Sequence, residues 1–339
     1  MTNHLLQEEV NKFCDSIGKD SLLVQGAGGN VSFKLDNELW IKASGTSLAE
    51  ARHKNIFVPV DLNLITKEIN KNNFDFQPII LNSSKLRPSI ETILHALMPQ
   101  KIVVHLHAIN ILSYLVKRDL RKVREKIACS SSVLVDYFKP GATLAKAVHS
   151  KLKDKNNTNV VFLKNHGIVI GAETVEEINK ILLDFSDFFK IEVKNNFDDV
   201  KSIPDDSDFK KFNYKQSKNP QINALATKTE FISRLENDWA LCPDHVVFLG
   251  EKAFVINDLK ELQVLDKTDV MPPYIFYVNH GVFEKIDINR TQEEQLICYS
   301  DILIRQSHDD ILDSLTPSQI NELIDWDAEK YRKKLQKND

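Results

Sequence analysis

The sequence predicts a layered α/β protein with a smaller α/β segment behind it, on three observations. Stretches of strand and helix periodicity alternate along the 339 residues, and such alternation builds a sheet faced by helices. Residues 195–220 interrupt it with a polar, charged, turn-rich run, which divides the chain into 1–194, a linker, and 221–339. Finally, strand, Asn-His-Gly, strand, capping box and helix occur in that order twice, at Asn165-His166-Gly167 and at Asn279-His280-Gly281. A partial duplication would leave that trace.

The elements follow in order. Leu5, Leu6, Val10, Phe13, Cys14 and Ile17 form the stripe of an opening helix, without the basic flank and apolar core of a signal peptide. Residues 21–35 read as strand, glycine turn, strand. Asp36-Asn37 then turns the chain into a strand that ends at Ser44-Gly45-Thr46. Residues 88–98 read as a helix with Ser89 as N-cap, closed by Pro99. The histidine strand follows, then a helix over 109–127 and another on the stripe Leu144, Ala147, Val148 and Leu152. Thr174-Val-Glu-Glu177 is a capping box for a helix to about 194. Beyond the linker come a helix near 222–240, strands around 246–249, 253–256 and 274–278, and a second capping box at Thr291–Glu294. A last helix starts at Thr316-Pro317, proline suiting the first helical position, and its tail reads as frayed.

Composition excludes several function classes. The net charge of −4 offers no electrostatic footprint for nucleic acid. No apolar run approaches the roughly 18–20 residues that span a bilayer. Cys14, Cys129, Cys242 and Cys298 form no CxxC pair, which fits neither a disulfide framework nor a thiolate zinc site. A reduced, cytoplasmic setting is expected.

The chemistry concentrates in Lys-Ile-Val-Val-His-Leu-His-Ala. Alternate side chains of a strand share a face, so His105 and His107 point the same way. With His166 as a third ligand they can hold a divalent metal and leave a position open for substrate. Both lie in an otherwise apolar strand, where an unpaired imidazole is costly, and Gly167 lets the backbone bend close to a bound group. Glu91, one helix upstream, offers a carboxylate. The residues alone leave other readings open. An HxH pair also occurs as structure, and a first-turn glutamate stabilises the helix dipole by roughly 0.3–1 kcal/mol with no catalytic role. Glu91 also shares a helix face with His95, which sits among Ile93, Leu94, Ala96 and Leu97 and reads as buried and hydrogen-bonded. Gly26-Ala-Gly28-Gly29-Asn30-x-Ser32 and Ser44-Gly45-Thr46 have the flexibility and donors to surround an oxyanion, although hairpin turns alone would explain them. They are not a dinucleotide fingerprint, because the spacing differs and a strand follows.

Gly28-Gly29-Asn30-Val31-Ser32, Lys42-Ala43-Ser44-Gly45-Thr46, Pro88-Ser89-Ile90-Glu91, His105-Leu106-His107 and Asn165-His166-Gly167 occur in the order seen in class II aldolase/adducin domains. Over residues 5–193 the chain resembles that family. It most resembles the aldolase part of rhamnulose-phosphate aldolase/dehydrogenase proteins, with too little length for their dehydrogenase half. The resemblance implies a three-layer α/β/α domain on a mostly antiparallel sheet, assembled as a homo-oligomer, a tetramer favoured. It implies zinc, or another divalent ion such as manganese, on His105, His107 and His166. Glu91 falls on the catalytic acid/base. Gly28, Asn30, Ser44, Gly45 and Ser89 fall on the phosphate-binding loops, and Tyr137 near a tyrosine that serves a neighbouring subunit's site as proton donor. The implied activity is metal-dependent aldol cleavage of a ketose 1-phosphate or similar sugar through a metal-stabilised enediolate, within carbohydrate metabolism. Epimerisation, dehydration or decarboxylation on the same site, and an adducin-like scaffold, are the alternatives. Two features depart from the pattern. Ile90 stands where the aldolases carry a second hydroxyl, which opens the question of whether phosphate is required. The segment 221–339 is extra, and its His245 and His280 read as packing or turn residues rather than ligands.

Overall fold

The computed structural model describes residues 3–153, 155, 157–193, 197, 207–267, 271–324, 326–328 and 330. Seven strands form the main sheet: β1 (Asn30–Leu35), β2 (Glu38–Lys42), β3 (Phe57–Asp61), β4 (Ile102–Leu106), β5 (Ser132–Val135), β6 (Val160–Leu163) and β7 (Gly167–Ala172). Their order is β3-β2-β1-β4-β7-β6-β5, antiparallel except where β5 pairs with β6. A smaller sheet holds β8 (Tyr214–Gln216), β9 (Val255–Ile256), β10 (Tyr274–Tyr277) and β11 (Gly281–Lys285) in the order β8-β11-β10-β9. The α/β class and the mostly antiparallel central sheet are as expected.

Strand alternation sorts the core into layers. Val31, Phe33, Ile102, Val104, Leu106, Ile168 and Ile170 pack on one face with the helices Asn3–Gly18, Ile109–Leu115 and Val175–Phe188. Val103, Val161 and Val169 face the other way, onto Leu94, Leu144 and Val148 from the helices Thr92–Leu97 and Ala142–Leu152. The first of these cores continues without a break into the second segment, through Ile222, Leu225, Trp239, Leu296, Tyr299 and Ile302. The small sheet adds its own cluster around Phe209, Tyr214, Ile275 and Phe283. Among the described residues no helix is long and apolar enough to cross a membrane.

Several local expectations are corrected. Residues 21–23 form a turn and 24–25 are irregular, so only Asn30–Leu35 of that stretch is a strand. The helix at 88–98 is confined to Thr92–Leu97 with Glu91 at its N-cap, while the Ser89 hydroxyl accepts from the Glu91 N–H at 3.2 Å. Residues 109–127 make two helices, Ile109–Leu115 and Arg121–Ala128, as do 222–240, with Pro220–Thr227 and Thr229–Asn237. The helix from Thr174 ends at Phe188. The run 246–249 is helix, not strand: Pro243 at its first position starts Pro243–Leu249, all of whose residues are buried. The second capping box uses Asn289 and Gln292 rather than Thr291 and Glu294. Within the expected linker, Ser207–Lys211 is a helix and β8 pairs with β11. Residues 195–196 and 198–206 of that linker lie outside the described residues, as do residue 194 and the tail at 331–339.

Candidate metal centre and active site

The centre assembles where β1, β4 and the β6–β7 turn meet. Asn30 pairs with His105 and Ser32 with Val103 across β1 and β4, so these side chains share the sheet face under the helix Thr92–Leu97. Two strand residues advance about 6.6 Å and four helical residues about 6 Å. The match lets Glu91 and His95 reach that strand together. The Asn30 amide donates to Glu91 Oε2 at 2.8 Å, and the Ser32 hydroxyl lies 2.8 Å from His95 Nδ1. His95 is thus held by structure, as expected, and not by the cluster.

His166 arrives from a tight turn in which Asn165 adopts φ 53°. Asparagine tolerates this left-handed conformation better than most residues. Gly167 follows because its backbone passes so close to the Leu106 carbonyl that any Cβ would overlap it. The result is three buried imidazoles with one nitrogen each inside a sphere of mutual distances up to 4.8 Å. Ring centroids lie 5.0 Å (His105 to His107), 4.8 Å (His105 to His166) and 5.3 Å (His107 to His166) apart.

Ring orientation tests whether a cation fits. His105 turns Nδ1 to the Ile168 carbonyl at 3.1 Å, and His107 turns Nδ1 to Asp244 Oδ2 at 3.5 Å. Those acceptors draw the ring protons to Nδ1. The two Nε2 atoms then face each other at 3.2 Å as lone pairs, which repel unless a cation stands beside them. Tetrahedral ligands at ~2.0–2.1 Å from zinc lie roughly 3.4 Å apart, close to that spacing. The donor set fits a divalent metal.

Electrostatics set the carboxylate. Burial alone would push Glu91 up, but His105 and His166 outweigh it and the Asn30 amide adds to them, holding its pKa at about 2. Its Oε2 lies 3.4 Å from His105 Nε2 and its Oε1 3.6 Å from His166 Nε2. Burial also drives His107 down to about 3, against the pull of Asp244. At neutral pH the site therefore presents a carboxylate and a neutral imidazole ligand.

One cleft collects Gly28, Asn30, Ser44, Gly45, Ser89, Glu91, His107 and His166, with Ile90 on its wall. The segments carrying Ser44 and Ser89 are stapled together, Ser44 N–H to Arg87 O at 2.9 Å and Ser89 N–H to Lys42 O at 3.1 Å. Tyr137 is elsewhere in its own chain. It lines a separate cleft with Arg118, Lys164 and Asp313 and packs on Ala240, Val246 and Phe248. Burial raises its phenol above the ordinary range, with Cys242 and Glu322 acting in the same direction. His280 is exposed and stacked on Tyr277. His245 is fully buried against Tyr299.

Two lining residues were not singled out from the sequence. Lys42 brings a buried ammonium to the cleft, bonded to Ala27 O at 3.1 Å. Asp244 reaches it from the second segment, and the signal that marks it is Pro243-Asp244, proline and acid in a helix's first turn.

A family model described as the class II aldolase and adducin N-terminal domain matches residues 8–193. The chain belongs to that family. A Bacillus subtilis (strain 168) protein named uncharacterized oxidoreductase YuxG is 30% identical over 185 residues, covering 50% of this chain. The chain spans only 27% of that relative's own length. Among solved structures, the N-terminal class II aldolase domain of a conserved protein from Thermoplasma acidophilum overlaps at TM-score 0.46 and 27% identity, covering 53% of this chain and 90% of its own. A sugar-phosphate aldolase from Thermotoga maritima overlaps at TM-score 0.44 and 17% identity, covering 55% and 92%. The family assignment rests on the sequence match over 8–193.

Proposed function

We propose that this protein is a divalent-metal-dependent aldehyde-lyase that cleaves a small sugar or sugar phosphate, with zinc on His105, His107 and His166. The observation that carries this reading is three buried imidazoles converging beside an ionised, buried glutamate. When bound, the cation supplies Lewis-acid polarisation of a substrate carbonyl.

The chain's own residues do the rest. Asn30 holds Glu91 Oε2 and leaves Oε1 turned towards His166. Glu91 accepts a proton from a substrate hydroxyl and returns it to carbon after the bond breaks, in a cleft whose burial keeps bulk water from taking it. Gly28, Ser44, Gly45 and Ser89, with Lys42, form the seat of a distal anion, so that remote binding energy orients the reacting carbons. Ile90 removes one hydroxyl from that seat, so unphosphorylated sugars belong in the substrate range. Tyr137 serves only a neighbouring copy's site, which makes a homo-oligomer, a tetramer, part of the reading. Four free cysteines support a reducing, cytoplasmic setting.

The test is an assay of the purified protein over ketose 1-phosphates and their unphosphorylated analogues with zinc or manganese. Aldehyde release is expected. His107→Ala should lose metal and turnover together, and Glu91→Gln should keep metal and lose turnover. A fully active Glu91→Gln variant would remove the acid/base step. Release of an isomer without aldehyde would replace cleavage by epimerisation on the same groups.

A further inference from the structure

The proposed centre draws all three ligands from residues 8–193, yet one polar contact at its back comes from outside that range. Asp244 Oδ2 lies 3.5 Å from His107 Nδ1, the nitrogen turned away from the cluster. Asp244 is 3% exposed, and its Oδ2 also accepts from the Gln295 side-chain amide at 3.3 Å. Gln295 sits on the helix Arg290–Leu303, which grips the glycine loop at the same time. Glu294 accepts from Gly26 N–H at 2.5 Å, and the Gln295 amide approaches Gln25 O at 3.5 Å. Thr291 closes on Gly26 so tightly that a Cβ there would strike its methyl group at 2.7 Å.

The geometry points to Asp244 as a positioning residue: its carboxylate fixes His107 as the Nδ1–H tautomer and aims Nε2 at the cation, so that the second segment completes the metal centre. The inference rests on the reading that the three histidines hold a divalent metal. The physical reason is a division of labour at the two ring nitrogens. A metal-ligating imidazole donates its remaining N–H to an acceptor, which fixes tautomer and orientation and raises ligand basicity; losing that acceptor typically costs 10–100-fold in affinity. His105 meets this need within the sheet, at the Ile168 carbonyl. His107 lies just past the end of β4 and has no ladder carbonyl to use. An anionic acceptor held by a second buried side chain takes that place. Pro243 sets it there, since a helix begun at that residue carries Asp244 in its first turn against the histidine.

The experiment is zinc affinity of the full chain by chelator competition, with the visible spectrum of the cobalt-loaded protein as a reading of ligand geometry. Asp244→Asn keeps shape and removes charge. It should weaken zinc about 10–100-fold and shift the cobalt bands, while the melting temperature of the metal-free protein stays near wild type. Asp244→Glu should recover part of the affinity, as charge rather than packing requires. Gln295→Leu, which leaves the carboxylate but removes one hydrogen bond that holds it, gives a second measure should Asp244→Asn fold poorly; a few-fold loss is expected. Wild-type affinity and an unchanged cobalt spectrum in Asp244→Asn or in Gln295→Leu, with zinc lost in His107→Ala, would reduce Asp244 to packing. Wild-type zinc binding in His107→Ala would instead overturn the metal reading itself, and this inference with it.

Discussion

The turns at Asn165-His166-Gly167 and Asn279-His280-Gly281 share their asparagine conformation and hydrogen-bond pattern, while of the two glycines Gly281 alone takes positive φ, 110°. Asn165 and Asn279 both take left-handed φ, 53° and 64°. Leu163 pairs with Gly167 and Tyr277 with Gly281, and each histidine N–H donates back to the residue three before it, at 3.1 and 2.9 Å. Each first strand has a parallel neighbour, β5 beside β6 and β9 beside β10, and each second strand leads to a capped helix. The histidines nonetheless end in different places. His166 is buried and faces Glu91. His280 is exposed, stacked 4.0 Å from Tyr277, with Nδ1 2.8 Å from Val278 O. The difference comes from the next strand over. β7 lies beside β4 and its HxH pair, whereas β11 lies beside β8, Tyr-Lys-Gln. A turn sets where a side chain points; the neighbouring strand decides whether anything is there to meet it.

The sharpest way to break this contrast is to remove each histidine in turn. His166→Ala should abolish stoichiometric zinc binding, measured by metal analysis after dialysis, and His280→Ala should leave it intact. Equal loss in both, or in neither, would end the contrast. A smaller effect comes from acid. Burial depresses His245 in the second segment to about 4, against the pull of Asp244. Its ordinary value is 6.5, so the unfolded chain binds a proton between pH 6.5 and 4 that the folded chain refuses. The stability from neutral His245 is therefore complete above pH 6.5 and is lost as pH falls to 4, on the order of a few kcal/mol. Denaturant melts of His245→Phe should show a shallower fall over that window than wild type; a parallel fall would clear His245. The smallest effects belong to the asparagines. The Asn165 side chain also donates to Leu241 O at 3.0 Å and Asp313 O at 2.6 Å. Asn165→Gly keeps the turn but loses both bonds and should cost about 2 kcal/mol in urea unfolding. Asn279→Gly should stay within about 0.5 kcal/mol of wild type, since glycine fits the same φ.

Much of the first segment was legible because its signals are local. His105 and His107 show by strand period alone, and the hydroxyl and glycine loops by composition and order. The convergence of Gly28, Asn30, Ser44, Gly45, Ser89, Glu91, His107 and His166 on one cleft follows those motifs. What escaped lacks a local period. Residues 243–249 are buried on every side, so their helix shows no polar face and Val-Val-Phe-Leu reads equally as strand. Two overlapping capping signatures compete at 289–294, and the later one loses because Thr291 and Glu294 are occupied at Gly26. Asp244 carries meaning only through the approach of a helix from far along the chain. Tyr137 likewise owes its surroundings to Ala240, Val246 and Phe248 of the second segment.

The unbroken core between the segments bears on how such a protein evolves. Residues 8–193 contain every motif by which the family is recognised, yet Ile109, Leu112 and Leu115 are sealed by Leu296, Tyr299 and Ile302 from beyond it. Transplanting the family portion alone into another gene would bring along a raw greasy wall and an unsupported glycine loop. In this chain the two segments are held as one structural unit, so an exchange at residue 193 would need a new apolar cover for that wall.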